Sequence, residues 1–226
     1  MRKILLVAAT ALELEIIKDK VQNNSKLQNL IVDILVTGVG AVATTYHLLH
    51  YLLHHTTDLV INVGISGAFD QRQDLGGVFQ LKSDFFGDLG AEDSDGSFLS
   101  INDLGIADSS HLSVGSILVN SWHFADTNYL PEARGVTVNL IHGYKPTIDR
   151  FCQGLQADLE SMEGAAVFYT CMKEGIPVLQ LRSISNHVTA RDRDSWKMNN
   201  ALENLASKCL YVLENTDRIR QRTILE

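Results

Sequence analysis

The sequence predicts an α/β protein built on a largely parallel sheet. Short apolar runs rich in β-branched residues alternate with segments of helical periodicity, at a spacing typical of strand–helix pairs. The 226 residues contain only three prolines, and no repeat or Pro-, Gly- or Ser-rich linker interrupts them. We therefore expect a single domain over residues 1–226.

The first third of the chain gives the clearest alternation. Buried strands are predicted at Ile4–Val7, Ile31–Val36 and Leu59–Val63, where apolar and β-branched residues run together. Helices are predicted between them, at Leu12–Val21 and Val42–His54, where apolar residues recur with the helical period.

The middle of the chain is less regular. Val78–Leu81, Ser116–Val119 and Val136–Ile141 have the composition of strands. Between the first two, Asp84 to Asp108 is rich in Gly, Asp and Ser and has weak periodicity. We expect this segment to be either a functional loop or an excursion over the edge of the sheet.

Regular alternation returns at the end of the chain. Gly175 is expected to end a helix and Pro177 to precede the next strand, because glycine and proline are common at these positions. The predicted elements are a strand at Ala157–Leu159, a helix at Glu163–Glu174, a strand at Val178–Ile184 and a helix near Ser195–Asn215.

Composition restricts the class of partner. A formal net charge of −8 argues against nucleic-acid binding, because no basic stripe is present to replace phosphate counterions. No apolar run approaches the ~20 residues that cross a bilayer, so no membrane partner is expected. The three cysteines are far apart and odd in number, which favours a reducing, cytoplasmic environment. They also lack the spacing of a zinc site, and we expect neither a metal nor another cofactor.

Two glycine-containing turns follow predicted strands. Thr37-Gly38-Val39-Gly40-Ala41 opens a helix, and Asn62 to Phe69 repeats the pattern around Gly64 and Gly67. Ligands of α/β sheets gather beyond the carboxyl ends of strands, and glycines there admit a close ligand. The first turn lacks the third glycine of a dinucleotide site and the lysine of a P-loop, so alone it is compatible with an ordinary turn.

Three glutamates lie at predicted helix starts. Glu13 and Glu15 follow the first strand, and Glu163 begins the helix after Glu160-Ser161-Met162. Acidic residues are common there because they complement the helix dipole. A carboxylate at such a position can also activate water or handle a leaving-group proton.

With these motifs, the chain resembles the purine nucleoside phosphorylase and nucleosidase superfamily over essentially its whole length, and within it the futalosine hydrolases of the alternative menaquinone pathway. The similarity rests on seven motifs in order: Ala11-Leu12-Glu13-Leu14-Glu15, Thr37–Gly40, Asn62–Phe69, Asp88–Asp93, Glu160–Ala166, Arg182–Asn186 and Arg191-Asp192. The resemblance implies a three-layer α/β/α sandwich with a central mixed, largely parallel sheet. It also implies a homodimer or larger homo-oligomer that hydrolyses the N-glycosidic bond of a purine nucleoside.

The resemblance assigns roles to nine residues. Glu163 is expected to accept hydrogen bonds from the ribose hydroxyls and Met162 to pack on the sugar. Glu15 is expected to activate water, with Glu13 as the alternative, and Arg182 to orient water and Glu163. The catalytic residues expected are Glu15, Arg182 and Asn186, and the substrate-binding residues are Gly40, Gly64, Phe69, His142, Met162 and Glu163.

Asn186 departs from the pattern of the adenine-releasing nucleosidases, which carry an aspartate at this point. An amide donates and accepts hydrogen bonds but does not supply a proton outright. This favours hypoxanthine, a 6-oxopurine, as the leaving base. Ile65 is a second departure, because those nucleosidases have serine there.

Water is favoured over phosphate as the attacking group, because the loops 8–11, 37–41 and 64–69 contain no lysine or arginine. The products expected from futalosine are hypoxanthine and dehypoxanthine futalosine. The benzoate of futalosine requires a cation or donors, for which Arg191, Arg193, His142 and Lys145 are candidates. The alternatives are a methylthioadenosine/S-adenosylhomocysteine nucleosidase, a purine nucleoside phosphorylase and a non-catalytic nucleoside-binding protein.

Overall fold

A mixed sheet forms the centre of the molecule. The computed structural model describes residues 1–107, 114–115, 117–151, 157–190 and 192–222, without the side chain of Arg193. Its strands are β1 (Arg2–Ala8), β2 (Leu30–Val36), β3 (Leu59–Ala68), β4 (Val78–Asp84), β5 (Gly90–Glu92), β6 (Phe98–Ser100), β7 (Leu118–Val119), β8 (Trp122–Phe124), β9 (Glu132–Thr137), β10 (Leu159–Ser161), β11 (Val178–His187) and β12 (Ile219–Gln221). Its α-helices are α1 (Ala11–Gln22), α2 (Ala41–His54), α3 (Lys145–Arg150), α4 (Gly164–Lys173) and α5 (Met198–Glu214).

The sheet is parallel over most of its width. Its strands follow the order β10-β9-β4-β11-β3-β1-β2, and β7 pairs with β4 at the side. Strands β1, β2, β3 and β11 run parallel, whereas β4 is antiparallel to β11. These findings confirm the predicted α/β class with a mixed, largely parallel sheet.

The strand pattern alone suggested an open sheet, but the observed sheet is partly closed. Besides its pairing with β9, β10 pairs with the end of β3 through Leu159 with Ala68 and Glu160 with Gly67. This contact closes β3, β11, β4, β9 and β10 into a ring. A bulge between Ile184 and Asn186 bends β11 where the ring closes.

Helices cover both faces of β1 and β3. Ile4 and Leu6 point into one buried cluster, which contains Leu14 of α1 and Leu205 of α5. The intervening Leu5 and Val7 point into another buried cluster, with residues of α2 and α4. A strand covered on both sides must be apolar throughout, which explains the continuous run at the start of the sequence.

Most elements lie close to their predicted positions, with two corrections. The strand expected at Val136–Ile141 occupies Glu132–Thr137, because Val138 already leaves β9 to donate to the Ser161 carbonyl. The strand expected at Ala157–Leu159 is Leu159–Ser161. The segment Asp84 to Asp108 contains the hairpin of β5 and β6, with Gly96 at a φ of +82° in its turn.

Two smaller features were not predicted. Helix α3 begins at Lys145 with Pro146 in its first turn, and β12 pairs with β8 near the carboxyl end of the chain. Of the predicted strand Ser116–Val119, Leu118 and Val119 form β7, and Ser116 lies outside the described residues. No helix in the described part of the chain is long and apolar enough to cross a membrane.

The two faces of α2 provide a matched test of the packing. The Leu48 side chain is 0% exposed, whereas Leu53 on the same helix is 65% exposed. We expect Leu48→Ala to lower the free energy of unfolding by about 2–5 kcal/mol, because it leaves a cavity. Leu53→Ala is expected to change it by less than about 0.5 kcal/mol. Urea denaturation followed by circular dichroism measures both, and equal losses would contradict this orientation of α2.

Candidate active site

A cavity of about 350 Å³ opens where β1, β3, β10 and β11 end. This position agrees with the rule that ligands of parallel sheets bind beyond the carboxyl ends of the strands. Its volume lies within the range of small-molecule sites. Its lining includes Thr10, Leu12, Glu13, Val39, Ile65, Gly67, Ile141, His142, Glu160, Met162, Glu163, Ser185, Asn186, Asp192 and Trp196.

Strand register gives the cavity two separate ends. On β3, Gly64 lies beside Arg182 of β11, and Gly67 lies beside Asn186. Gly67 also pairs with Glu160 of β10 on its other side. Because a strand rises roughly 3.3 Å per residue, these two levels are about 10 Å apart along β3. Gly67 lines the cavity, whereas Gly64 does not; Glu13, beside Gly64, lines it instead.

Glu13 occupies the Gly64 end. Its Oε2 accepts hydrogen bonds from both the N–H and the hydroxyl of Thr10, each at 2.9 Å, which caps the first turn of α1. Its Oε1 accepts the Ile65 N–H at 3.3 Å. The carboxylate is therefore fixed by groups from two elements and faces the cavity.

Glu15, the residue preferred from the sequence, does not line the cavity. Two residues along a helix correspond to a rotation of about 200°, so Glu15 points away from Glu13. The Glu15 side chain is exposed, while Leu14 and Ile17 of the same helix are buried. The structure places Glu13, the alternative that the sequence left open, in the cavity lining and Glu15 outside it; which of the two activates water stays a prediction.

Glu163 immediately precedes α4 and reaches across to the loop before α2. Its Oε1 accepts the backbone N–H of Gly40 at 2.9 Å. Burial raises the pKa of Glu163, and the Gly40 N–H and the charge of Arg182 oppose that rise. Gly40, with a φ of +92°, thus contributes to the site through its backbone contact with Glu163.

Arg182 lies behind the cavity wall, with a side chain only 1% exposed. Its Nη2 donates to Asn62 Oδ1 at 2.5 Å and its Nη1 to the Leu181 carbonyl at 3.1 Å. Burial lowers the pKa of the guanidinium, and the negative charges of Glu163, Asp84 and Glu13 oppose this.

Gly64 leaves the space that this arrangement requires. A Cβ placed there would lie 3.1 Å from Glu13 Oε1 and 3.3 Å from Arg182 Nη1. Gly64 therefore separates the two charged groups and allows them to approach one strand closely.

Asn186 occupies the Gly67 end, beside the bulge of β11. Its Oδ1 accepts the Ser185 hydroxyl at 2.8 Å, and its Nδ2 donates to the His187 carbonyl at 3.1 Å. These two bonds determine the orientation of the amide. The second N–H of Nδ2 remains to donate to a ligand.

His142 lines the cavity together with Glu160, a residue that the sequence analysis did not select. His142 Nδ1 lies within hydrogen-bonding distance of Glu160 Oε2, and the His142 backbone N–H donates to Oε1 at 3.1 Å. The His142 ring also lies 4.8 Å from the ring of Phe151. An acidic residue inside the short apolar strand before Met162 was the only sequence signal for this pair.

The remaining candidates lie in different places. Met162 lines the cavity, as expected for a sugar contact. Phe69 does not; it is buried behind the wall, with its ring 5.8 Å from that of Phe151. Lys145 is exposed and pairs with Asp149 at 2.8 Å, and Arg191 lies outside the described residues.

Asp84 forms a buried network that the sequence did not reveal. Its Oδ1 accepts hydrogen bonds from Thr137 Oγ1 at 3.0 Å and from the Phe85 N–H at 2.8 Å. Thr137 Oγ1 in turn accepts the Ala165 N–H at 2.7 Å, in the first turn of α4. Asp84 is therefore linked through Thr137 to the turn that carries Glu163. Burial raises the pKa of Asp84 to about 6.

The described side chains contain no group of three His, Cys, Asp or Glu residues arranged to hold a metal ion. The polar groups in the cavity are instead carboxylates, two imidazoles, hydroxyls and an amide. Such groups bind sugar hydroxyls and heterocyclic bases through hydrogen bonds.

The family model of the phosphorylase superfamily matches residues 130–214 of the chain. This region contains Met162, Glu163, Arg182 and Asn186. A futalosine hydrolase of Streptomyces coelicolor is 32% identical over 191 residues, which cover 81% of this chain and 80% of the relative. The chain belongs to the futalosine hydrolase family.

Solved structures agree in fold. A mutant futalosine hydrolase of Helicobacter pylori has a TM-score of 0.77 and 16% identity, with 96% of this chain and 100% of that chain covered. A 5′-methylthioadenosine/S-adenosylhomocysteine nucleosidase from the same organism, with butyl-thio-DADMe-Immucillin-A, also has a TM-score of 0.77, at 17% identity and with 96% and 99% covered. At these identities the two structures establish the shared fold only.

The raised pKa of Asp84 predicts a pH dependence of stability. The protonated carboxyl of Asp84 is favoured in the folded state. Its contribution to the free energy of unfolding is therefore complete below pH about 4 and is lost as the pH rises through about 6. Asp84→Asn removes this titration. We expect the stability of the variant to rise relative to the unaltered protein between pH 4 and pH 7, by roughly 3 kcal/mol at most. Urea unfolding across this range measures the difference, and parallel curves would contradict a raised pKa.

Proposed function

We propose that this protein hydrolyses the N-glycosidic bond of futalosine, releasing hypoxanthine and dehypoxanthine futalosine for menaquinone biosynthesis. One observation carries the proposal: a single cavity has Glu13, Glu163 and the charge of Arg182 at one end and Asn186 at the other. The family relationship supports the same substrate. The separation of about 10 Å between the two ends suits a nucleoside, with its sugar and base at different levels.

The Gly64 end is proposed to hold the ribose. Glu163 Oε1 already accepts the Gly40 N–H, so the lone pairs that remain can accept the sugar hydroxyls. Met162, beside it in the lining, offers an apolar contact for the sugar ring. Breaking the C1′–N9 bond creates positive charge on the sugar, which the nearby carboxylates stabilise.

Glu13 is proposed to activate water. In this step the water oxygen bonds to C1′, the C1′–N9 pair leaves with the base, and the proton of the water passes to Glu13. The bonds from Thr10 and Ile65 fix the carboxylate in position before the reaction. Arg182 acts from behind the wall, where its positive charge opposes the rise that burial causes in the pKa of Glu163.

Asn186 is proposed to stabilise the departing base. Its free N–H donates to N7 or O6 of the purine, where negative charge accumulates as the bond breaks. The amide supplies no proton, so the base leaves as a hydrogen-bonded anion and is protonated by solvent. A 6-oxopurine anion is better suited to this step than adenine, because its oxygen shares the charge.

The cavity lining supports water rather than phosphate as the attacking group. Within the described ranges, no lysine or arginine side chain lines the cavity, and Arg182 is buried behind Gly64. Phosphorolysis requires cationic groups that contact the anion directly. A neutral water molecule requires only the carboxylate and backbone groups that are present.

We also propose a homodimer or larger homo-oligomer, and a three-layer α/β/α arrangement. The helix pairs on opposite faces of β1 support the layers. Exposed apolar side chains next to the cavity support the assembly: Leu12 and Val39 in its lining, with Val42 and Tyr46 on the following helix. Such a cluster on a monomer surface is typical of an interface.

A substrate panel tests the reaction. The protein is incubated with futalosine, methylthioadenosine and inosine, with and without phosphate, and the free bases are separated by chromatography. We expect hypoxanthine from futalosine at a rate independent of phosphate, because water is the attacking group. Strict dependence on phosphate, or release of adenine alone, would overturn the proposal.

The assignment of Glu13 over Glu15 has a matched test. We expect Glu13→Gln to lower kcat by about 10²- to 10⁴-fold, because the general base is lost. Glu15→Gln, two residues away on the exposed face, is expected to stay within about twofold, as for a surface change. Steady-state kinetics with futalosine measures both, after thermal melting confirms that each variant is folded. A large loss in Glu15→Gln alone would restore Glu15 as the base.

A further inference from the structure

The buried Glu160–His142 pair lines the cavity, but the proposed reaction does not use it. We propose that Glu160, positioned by His142, accepts the N1–H of a 6-oxopurine and so selects hypoxanthine-containing nucleosides over their 6-amino counterparts. This inference rests on the proposed function, because it concerns the base end of the same site.

Strand register places Glu160 at the base end. Glu160 pairs with Gly67 on one side, and Asn186 pairs with the same glycine on the other. A Cβ on Gly67 would lie 2.7 Å from Val188 Cγ2 and 3.3 Å from Asn186 Nδ2, so a glycine lets the Asn186 amide lie close to this point of the strand. A flat base placed over Gly67 therefore has Asn186 at one edge and Glu160 at another.

Glu160 has hydrogen-bonding capacity left for a ligand. A carboxylate offers about four acceptor positions, and His142 occupies two of them through its backbone N–H and Nδ1. The Glu160 side chain is 4% exposed, so an acceptor without a donor is costly there. A donor on the ligand removes this cost, and N1–H of hypoxanthine is such a donor.

The hydrogen-bonding pattern of the two edges fits a 6-oxopurine. Asn186 presents an N–H, which suits O6 or N7, and Glu160 presents an acceptor, which suits N1–H. Adenine lacks the N1–H, so its N1 lone pair faces the carboxylate, whereas N7 accepts a hydrogen bond from Asn186 in both bases. A mismatch of this kind in a buried site favours strong discrimination.

His142 acts as a positioning residue in this arrangement. An ionised carboxylate only accepts hydrogen bonds, so Nδ1 carries the proton that it shares with Glu160. The ring is held against Phe151, at 4.8 Å between centroids, which fixes the direction of Nδ1. His142 therefore sets the orientation of the Glu160 carboxylate without contacting the base itself.

The experiment compares Glu160→Gln and His142→Gln with the unaltered protein. For each we measure kcat/KM for futalosine and for its 6-aminopurine counterpart. Glutamine presents an amide donor to N1, so we expect the 6-oxo to 6-amino ratio to fall by about 10- to 100-fold in Glu160→Gln. A smaller fall in the same direction is expected in His142→Gln, because the carboxylate remains but is no longer oriented.

Glu214→Gln is the matched control. Glu214 lies at the end of α5 and bonds to Asn24 and Lys26, away from the cavity. The 6-oxo to 6-amino ratio of the Glu214→Gln variant is expected to equal that of the unaltered protein. An unchanged ratio in a folded Glu160→Gln variant would overturn the inference, whether both rates fall equally or neither changes. A purely structural role lowers both rates together.

Calorimetry with free hypoxanthine and free adenine separates this inference from the proposed function. Base binding requires no hydrolysis, so it tests the base end even if futalosine is not cleaved. We expect hypoxanthine to bind the unaltered protein more tightly than adenine, and Glu160→Gln to remove most of the difference. Equal affinity of the unaltered protein for the two bases would contradict the inference. Failure to cleave futalosine with this preference intact would overturn only the proposed substrate.

Discussion

The buried guanidinium of Arg182 is the constraint on which both the fold and the site depend. A cation that is 1% exposed costs several kcal/mol unless it is paired. Its charge is balanced by Glu13, Glu163 and Asp84, which come from α1, the start of α4 and β4. Separate parts of the chain must therefore converge on β11 before the charge is satisfied. Three carboxylates around one cation also leave an excess of negative charge, which favours a developing positive charge on a bound sugar.

Strand β3 carries both ends of the proposed site for an extended ligand. Gly64 lets Glu13 and Arg182 both approach this strand closely, and Gly67 lies between Asn186 and Glu160 further along the strand. Both levels belong to one strand that is hydrogen-bonded on each side, so their spacing is fixed by backbone geometry. A site carried by strands is more rigid than one carried by loops, which suits a reaction that depends on position.

The sequence predicted most strands and helices, because β1, β3 and β11 are buried on both faces and must be apolar throughout. It favoured Glu15 over Glu13, because a motif aligns residues along the chain and not around a helix. Leu14 and Ile17 determine which face of α1 is buried, and that face is known only from packing. The Glu160–His142 and Asp84–Thr137 contacts join residues 18 and 53 positions apart, which no local pattern predicts.

The pair across Gly67 also explains why position 186 holds an amide. Glu160 already places one buried carboxylate at this end of the cavity, with His142 as its partner. An aspartate at 186 would add a second carboxylate beside the same glycine, and two carboxylates sharing a site force one of them to take up a proton. A protonated acid at 186 would suit a base that must receive a proton, whereas an amide suits a base that leaves as a stabilised anion. In the proposed site the residues at 160 and 186 are therefore coupled through charge, and we propose that their combination, rather than Asn186 alone, selects the purine.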